Sequence, residues 1–241
     1  MKRLVVVSIC AVTIAAIVLG AYLTGLIGSE GTSYDPVIDP QNFSGPIDNP
    51  YFPLVPGTTF LYEGVSEDGP ERNEMTVTND TKVIMGVACV VVWDRVWLTG
   101  DLVEETYDWY SQDNDGNVWY FGEDSKELAN GVVVSTEGSW EAGVDGAKPG
   151  IVMLAEPKIG DEYRQEYYKG EAEDMAEVLA LDVTVTVPYG SYVNCLQTKD
   201  WTPLEKDVAE QKFYASGIGL VEEFVVEGGT GQMKLVSITT S

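Results

Sequence analysis

The sequence predicts an all-β fold, an antiparallel meander that forms a barrel, a half-barrel or a strongly curved sheet. Three observations carry this. Beyond residue 57 the chain is a succession of segments rich in Val, Thr, Tyr, Phe and Trp, the residues that fit a pleated, half-buried surface. Turn residues separate these segments at short intervals, and several intervals have hairpin chemistry: Thr99-Gly100-Asp101, Asp113-Asn114-Asp115-Gly116-Asn117 and Gly228-Gly229-Thr230-Gly231. No helix-length apolar periodicity competes with them, except at Glu171–Leu181. There Ala172, Met175, Ala176, Val178 and Leu179 give a loose apolar face and predict one short helix.

Taken in order, the chain begins with Met1-Lys2-Arg3 and then runs uncharged from Leu4 to Gly28. As a helix that run is roughly 37 Å long, enough for a hydrocarbon layer of about 30 Å. It is longer than the apolar region of a cleaved signal peptide, and Leu26-Ile27-Gly28 is a poor processing site. Residues 1–28 are therefore read as an N-terminal transmembrane anchor, with a removed signal segment as the alternative. Both leave the basic leader inside and export the rest, to the cell surface or, after cleavage, into the medium. Residues 29–49 read as a tether, because Pro36, Pro40 and Pro46 interrupt any regular element. Residues 50–241 are one domain's length, with strands expected at Thr58–Val65, Glu74–Thr78 and Val83–Leu98, the last broken near Gly86. Further strands follow at Leu102–Ser111, Val118–Glu123, Val132–Thr136, Glu162–Tyr168, Val183–Val187, Asn194–Asp200, Gln211–Ala215, Leu220–Glu227 and Met233–Thr239.

Composition closes several chemistries. With 39 acidic and 14 basic residues the net charge is −25, and removing Lys2 and Arg3 with the leader makes the exported part −27. A surface of that sign repels phosphate, so nucleic acid is not an expected partner. Basic partners and divalent cations are attracted to it, and a solvated high-salt surface is the plainer account. The chain has no histidine, which removes His-based triads, His-ligated zinc and imidazole acid–base catalysis. No cofactor motif is present.

The candidate ligand-binding residues are aromatic: Tyr107, Trp109, Trp119 and Phe121 on two adjacent strands, with Trp140. They could form an apolar or sugar-stacking platform, or simply pair across the hairpin. Cys89 and Cys195 could bond; the closed loop of about 106 residues would be worth about 4–5 kcal/mol. Alternatively they are two buried thiols. Asp113–Asn117 has the flavour of a calcium loop, but the twelfth position is Gly122 and the flanks are strands, which favours a hairpin turn. Among many paired carboxylates, Glu141 and Asp145 beside Trp140 would be the glycosidase choice. Asn42 and Asn79 begin N-glycosylation sequons.

The opening Asn49-Pro50-Tyr51-Phe52-Pro53-Leu54-Val55-Pro56-Gly57, with Phe60-Leu61-Tyr62-Glu63, resembles a group of exported prokaryotic proteins of unknown function. Segments Asp108–Asp113, Gly116–Glu123 and Tyr163–Tyr168 are similar to the same group. The resemblance implies a shared fold and brings no catalytic residues. The opening strand is also similar to curved-sheet envelope proteins of the lipoprotein-carrier type. The functional expectation is a membrane-anchored extracytoplasmic β-domain that binds an apolar or amphipathic envelope ligand without catalysis. Its rivals are a carbohydrate-binding module or glycosidase, and an acidic structural component of the envelope that binds calcium.

Overall fold

The structure is a computed structural model, and it describes residues 34–241. The expected anchor, residues 1–28, lies outside the described residues. Among those described, no helix is long and apolar enough to cross a membrane.

Fifteen strands build one antiparallel sheet. The first five are β1 (Thr58–Ser66), β2 (Gly69–Ile84), β3 (Val87–Leu98), β4 (Asp101–Gln112) and β5 (Val118–Ala129). Three short strands follow, β6 (Val132–Ser135), β7 (Trp140–Glu141) and β8 (Lys148–Met153), and all three pair with β5. Then come β9 (Glu162–Arg164), β10 (Glu166–Tyr167), β11 (Met175–Val187), β12 (Gly190–Trp201) and β13 (Ala209–Ala215), ending with β14 (Gly219–Glu227) and β15 (Gly231–Thr240). Strand β1 pairs with β2 on one side and β15 on the other, joining the two halves of the meander.

The two ends of the sheet path are β10 and β9, which are consecutive pieces of one extended stretch. Its first part pairs with β11 and its second with β8, so residues 162–167 draw the two edges together and nearly close a barrel. At the hand-over Gln165 donates its N–H to the Asp174 carbonyl at 2.8 Å. Closure also needs a residue without a Cβ on β8, because a Cβ at Gly150 would lie 2.3 Å from the Gln165 carbonyl.

The run Val83–Leu98 breaks where expected, at Met85-Gly86, where both residues have positive φ. The expected helix at Glu171–Leu181 is instead a turn followed by β11. Its apolar residues satisfy a period of two as well as 3.6, and pairing with β12 lets Ala176 and Val178 reach full burial. The only helical piece among the described residues is a 3-10 turn, Pro40–Asn42. It belongs to a stretch that the sequence suggests is a tether but which, from Tyr34 on, packs on the barrel. Tyr34 donates its hydroxyl to the Pro149 carbonyl, Phe43 lies edge-on to Trp119 and Phe121, and Ile47 is buried.

Side chains fill the interior, and its two ends differ. Toward the β2–β3 and β4–β5 turns it is apolar, with Val77, Val87, Cys89, Tyr110, Val118 and Leu196. Toward the other end the inward positions become acidic. Replacing Gly150 with alanine should cost about 1–3 kcal/mol by overpacking the closure. Urea unfolding should show this against Gly45→Ala, whose Cβ would meet nothing within 4 Å and should be neutral.

Candidate functional site

Alternation along a strand sends neighbouring residues to opposite faces, so acidic pairs within the strands are split. Glu104, Glu123 and Glu223 turn inward and are buried, while Glu105, Asp124 and Glu222 are not. Ten acidic side chains are buried in this way: Glu71, Asp94, Glu104, Asp108, Glu123, Glu166, Asp174, Asp200, Glu210 and Glu223. The buried base among them is Lys212, whose Nζ lies 3.5 Å from Asp200, 3.9 Å from Glu210 and 3.9 Å from Glu223. Strand register explains the grouping: Lys212 pairs directly with Glu223 on β14, and Asp200 on β12 pairs with Glu210. Asp108 and Glu123 are likewise direct partners across β4 and β5.

A cleft reaches this interior between two loops. Its half-buried rim is Phe52, Pro53 and Ile218; its apolar wall includes Leu54, Phe60, Met75 and Leu220. Gln165, Glu166, Asp174, Lys212, Tyr120 and Tyr214 complete the lining. About 620 Å³ lies between the walls, counting open solvent at the mouth, but only about 30 Å³ would admit a water-sized guest. That is room for a water or two. An alkyl chain enters only if the rim moves.

Glu166 is held from behind by Trp140, whose Nε1 donates to Oε2 at 2.9 Å. Burial pushes the Glu166 carboxyl up to about 8, although Trp140, hydrogen bonds from Asp174 and the Lys212 charge work against the shift. Asp174 rises well above the usual carboxylate range through burial and the neighbouring Glu166 charge, with a Thr202 hydrogen bond opposing. Asp108 and Glu123 are also raised, burial first in both, with the Asp94 charge next for Asp108 and the Asp108 charge next for Glu123. Burial opposes the Lys212 charge, but Asp200, Glu223, Glu210 and Asp174 outweigh it and hold its pKa above the ordinary lysine value. Burial thus favours the protonated form of Glu166, and no Ser, Thr or Cys is among the described residues that line the cleft with it.

The residues singled out by sequence do not assemble into one platform. Tyr107 stacks on Trp93 at 6.0 Å, and Lys126 lies 5.4 Å from its ring. Trp109 is buried under Lys82, whose Nζ is 3.2 Å from the ring centroid. Trp119 bonds through Nε1 to Asp113, and Phe121 packs on Phe43. The aromatic pair that faces inward across the β4–β5 hairpin is Tyr110 with Tyr120, stacked at 4.8 Å, because a bulge between Asp108 and Tyr110 shifts the register. Of the five, Trp140 alone bears on the cleft, through Glu166. Glu141 pairs with Lys82 at 2.8 Å, and Asp145 is exposed.

The Asp113 carboxylate is fully engaged by its own turn, accepting from the N–H groups of Asp115 and Asn117, the Asn117 amide and Trp119. Among the described residues no three acidic or cysteine side chains come together to hold a metal ion. Cys89 and Cys195 are free and buried, on strands with five others between them along the sheet. Burial pushes the Cys89 thiol up to about 12 and raises that of Cys195.

Three solved structures resemble this chain. One, a candidate exported protein with a YmcC-like fold from Bacteroides fragilis, is 17% identical with a TM-score of 0.48, over 79% of this chain and 99% of the other. A candidate lipoprotein from Parabacteroides distasonis is 11% identical with a TM-score of 0.43, over 78% and 98% of the two chains. A β-barrel-like protein of a domain of unknown function from Brucella abortus is 11% identical with a TM-score of 0.44, over 78% and 98%. At these identities the likeness concerns the fold alone. No protein-family profile matches the chain, and no curated protein does.

The buried acids of the strands carried a sequence signal of another kind, acids on the buried phase of apolar strands, as in Val92-x-Asp94-x-Val96, whereas Glu166 and Asp174 of the cleft carried none. Two predictions follow from their state. Each raised carboxyl holds its proton more tightly folded than unfolded, so its stabilisation is full below about pH 4 and is lost as pH rises, for Glu166 up to about 8. Thermal melts should therefore give a higher midpoint near pH 5 than near pH 8, and Glu166→Gln should flatten the fall. A thiol reagent without reductant should leave Cys89 and Cys195 unlabelled in the folded chain and modify both once it is unfolded.

Proposed function

We propose that this chain is a membrane-tethered, extracytoplasmic binding domain that takes a small amphipathic molecule into its cleft. One observation carries the reading: a half-exposed apolar rim, Phe52, Pro53 and Ile218, leads to an interior wall that bears Glu166, Asp174 and Lys212. An apolar approach with a few convergent polar groups at its end is the usual form of a small-molecule site. The export and the tether rest on the basic leader and the uncharged run Leu4–Gly28. The narrow interior means that the guest's apolar body lies along the rim, with only a compact polar head beyond Leu54 and Leu220.

The sugar-platform reading has less support, since the aromatic faces it needs are in use. Trp109 carries Lys82 at 3.2 Å, Trp119 lies against Phe43 at 6.2 Å and Trp140 against Tyr120 at 5.3 Å. Native mass spectrometry of the full chain, released from its membrane, tests the binding reading. A small-molecule adduct is expected on the wild type, and Ile218→Trp, which fills the rim, should reduce it about tenfold while the melting curve is kept. A wild-type chain free of any adduct, from cells and after incubation with short alkyl amphiphiles, would sink the proposal.

A further inference from the structure

We infer that the polar end of the cleft recognises a primary ammonium group, so that the guest is a small alkyl amine. The inference rests on the binding role proposed above and names the head group that the site selects. Its basis is the balance of donors and acceptors in the wall.

Most of the donors there are engaged. Trp140 Nε1 donates to Glu166, the Gln165 side-chain amide to Asp200 at 3.3 Å, the Tyr62 hydroxyl to the Leu220 carbonyl at 3.1 Å, and the Tyr120 hydroxyl to Asp108 at 2.8 Å. The Lys212 ammonium faces Asp200, Glu210 and Glu223. Acceptors, by contrast, are left over. Asp174 is only 4% exposed, lines the cleft, and its Oδ2 receives no donor from the protein. Glu166 stands within hydrogen-bond reach of it.

A wall with spare acceptors and engaged donors favours a head that only donates. An ammonium carries three N–H donors and one positive charge, and it fits the small space left. A carboxylate or phosphate head would instead bring further acceptors to a wall that already has an acceptor to spare. A metal ion would need a shell of acidic ligands that does not form among the described residues.

The charges around the pair are Asp108 and Glu123 from β4 and β5, Asp200 from β12 and Lys212 from β13. In the empty site a proton between Glu166 and Asp174 relieves their repulsion. On binding, the alkylammonium enters and that proton leaves to solvent, so the carboxyl O–H bond is exchanged for N–H···O contacts and charge is conserved.

Isothermal calorimetry on the full chain in phosphatidylcholine nanodiscs, with empty nanodiscs as the blank, tests this with hexylamine, hexanol and hexanoate. Hexylamine should bind at least about tenfold more tightly than either of the others, since charge-assisted hydrogen bonds are roughly twice as strong as neutral ones. Repeating the titration in phosphate and in Tris should show about one proton released per amine bound near neutral pH. Asp174→Asn and Glu166→Gln, both of which keep the side-chain shape, should each bring hexylamine and hexanol to within a few-fold of one another. Adding phosphatidylethanolamine to the nanodiscs distinguishes the sources of the group: weaker hexylamine binding would assign the site to a lipid headgroup, unchanged binding to a free amine. Hexanol binding as tightly as hexylamine, or hexanoate more tightly, would overturn the ammonium assignment and leave the cleft as a binding site. No saturable heat from any of the three would remove the cleft's role altogether.

Discussion

The interior of a small barrel is a single compartment of low polarity, and this one holds ten acidic side chains around one lysine. Burying an isolated carboxylate is so unfavourable that the group neutralises instead, unless a cation or a set of hydrogen bonds holds its charge. Lys212 supplies the cation for Asp200, Glu210 and Glu223. Neutral donors serve others: Asn73 donates to Asp94 at 2.5 Å, and Thr106 donates to Glu104 at 3.3 Å. For Asp108, Glu123 and the Glu166–Asp174 pair burial itself is the chief influence, and it raises each carboxyl toward holding a proton. The fold therefore depends on a proton inventory as much as on apolar contact. Its charge balance is also local, since the exterior carries most of the net charge of −25 in contact with water.

The division of the interior follows from strand direction. In an antiparallel meander, alternate turns lie at opposite ends, so acids at the start of β2 and β4 and late in β3 and β5 arrive at the same level. Glu71 and Asn73 on β2, Asp94 on β3, Glu104 and Asp108 on β4 and Glu123 on β5 meet there by register, although up to 52 residues separate them in sequence. On the opposite wall β12, β13 and β14 bring Asp200, Lys212 and Glu223 to the corresponding height. Glu166 and Asp174 come from the closing stretch and the segment that follows it, and Glu166 feels charges on both walls.

Much of this architecture was legible in the sequence. The strand runs, the break at Gly86 and the hairpin turns follow from residue types that read the same way locally and in the sheet. At Glu171–Leu181 two periods fitted equally well, and only the partner strand β12 decides between them. The cleft residues were less legible, for a physical reason. Aromatic side chains draw the eye on composition, but Tyr107 and Trp119 serve the outside or the turn, whereas the cleft is defined by which phase of each strand turns inward. That phase is readable at Asp94 within a Val-rich strand. It is not readable at Glu166, where strand pairing changes from β11 to β8 within a few residues. The docking of Tyr34, Phe43 and Ile47 is equally hidden, because isolated apolar residues among Pro, Asp and Ser look like linker until the surface they cover is known.

Site and closure share residues, and this gives the cleft its mechanical meaning. Glu166 begins β10, Gln165 is the hand-over between the two sheet edges, and Asp174 accepts the Gln165 N–H through its carbonyl while it presents its carboxyl to Glu166. Two short ladders, three residue pairs to β11 and two to β8, hold this stretch, against ladders of eight or more pairs between β1 and its neighbours. The seam is thus, with the three-pair β14–β15 ladder, one of the parts of the barrel with few backbone bonds to lose, where local opening costs little. Any guest that bridges Glu166 and Asp174 also ties the two sides of the hand-over together. Binding and closure are then linked equilibria: what stabilises one stabilises the other, and a change of protonation at the pair acts on both.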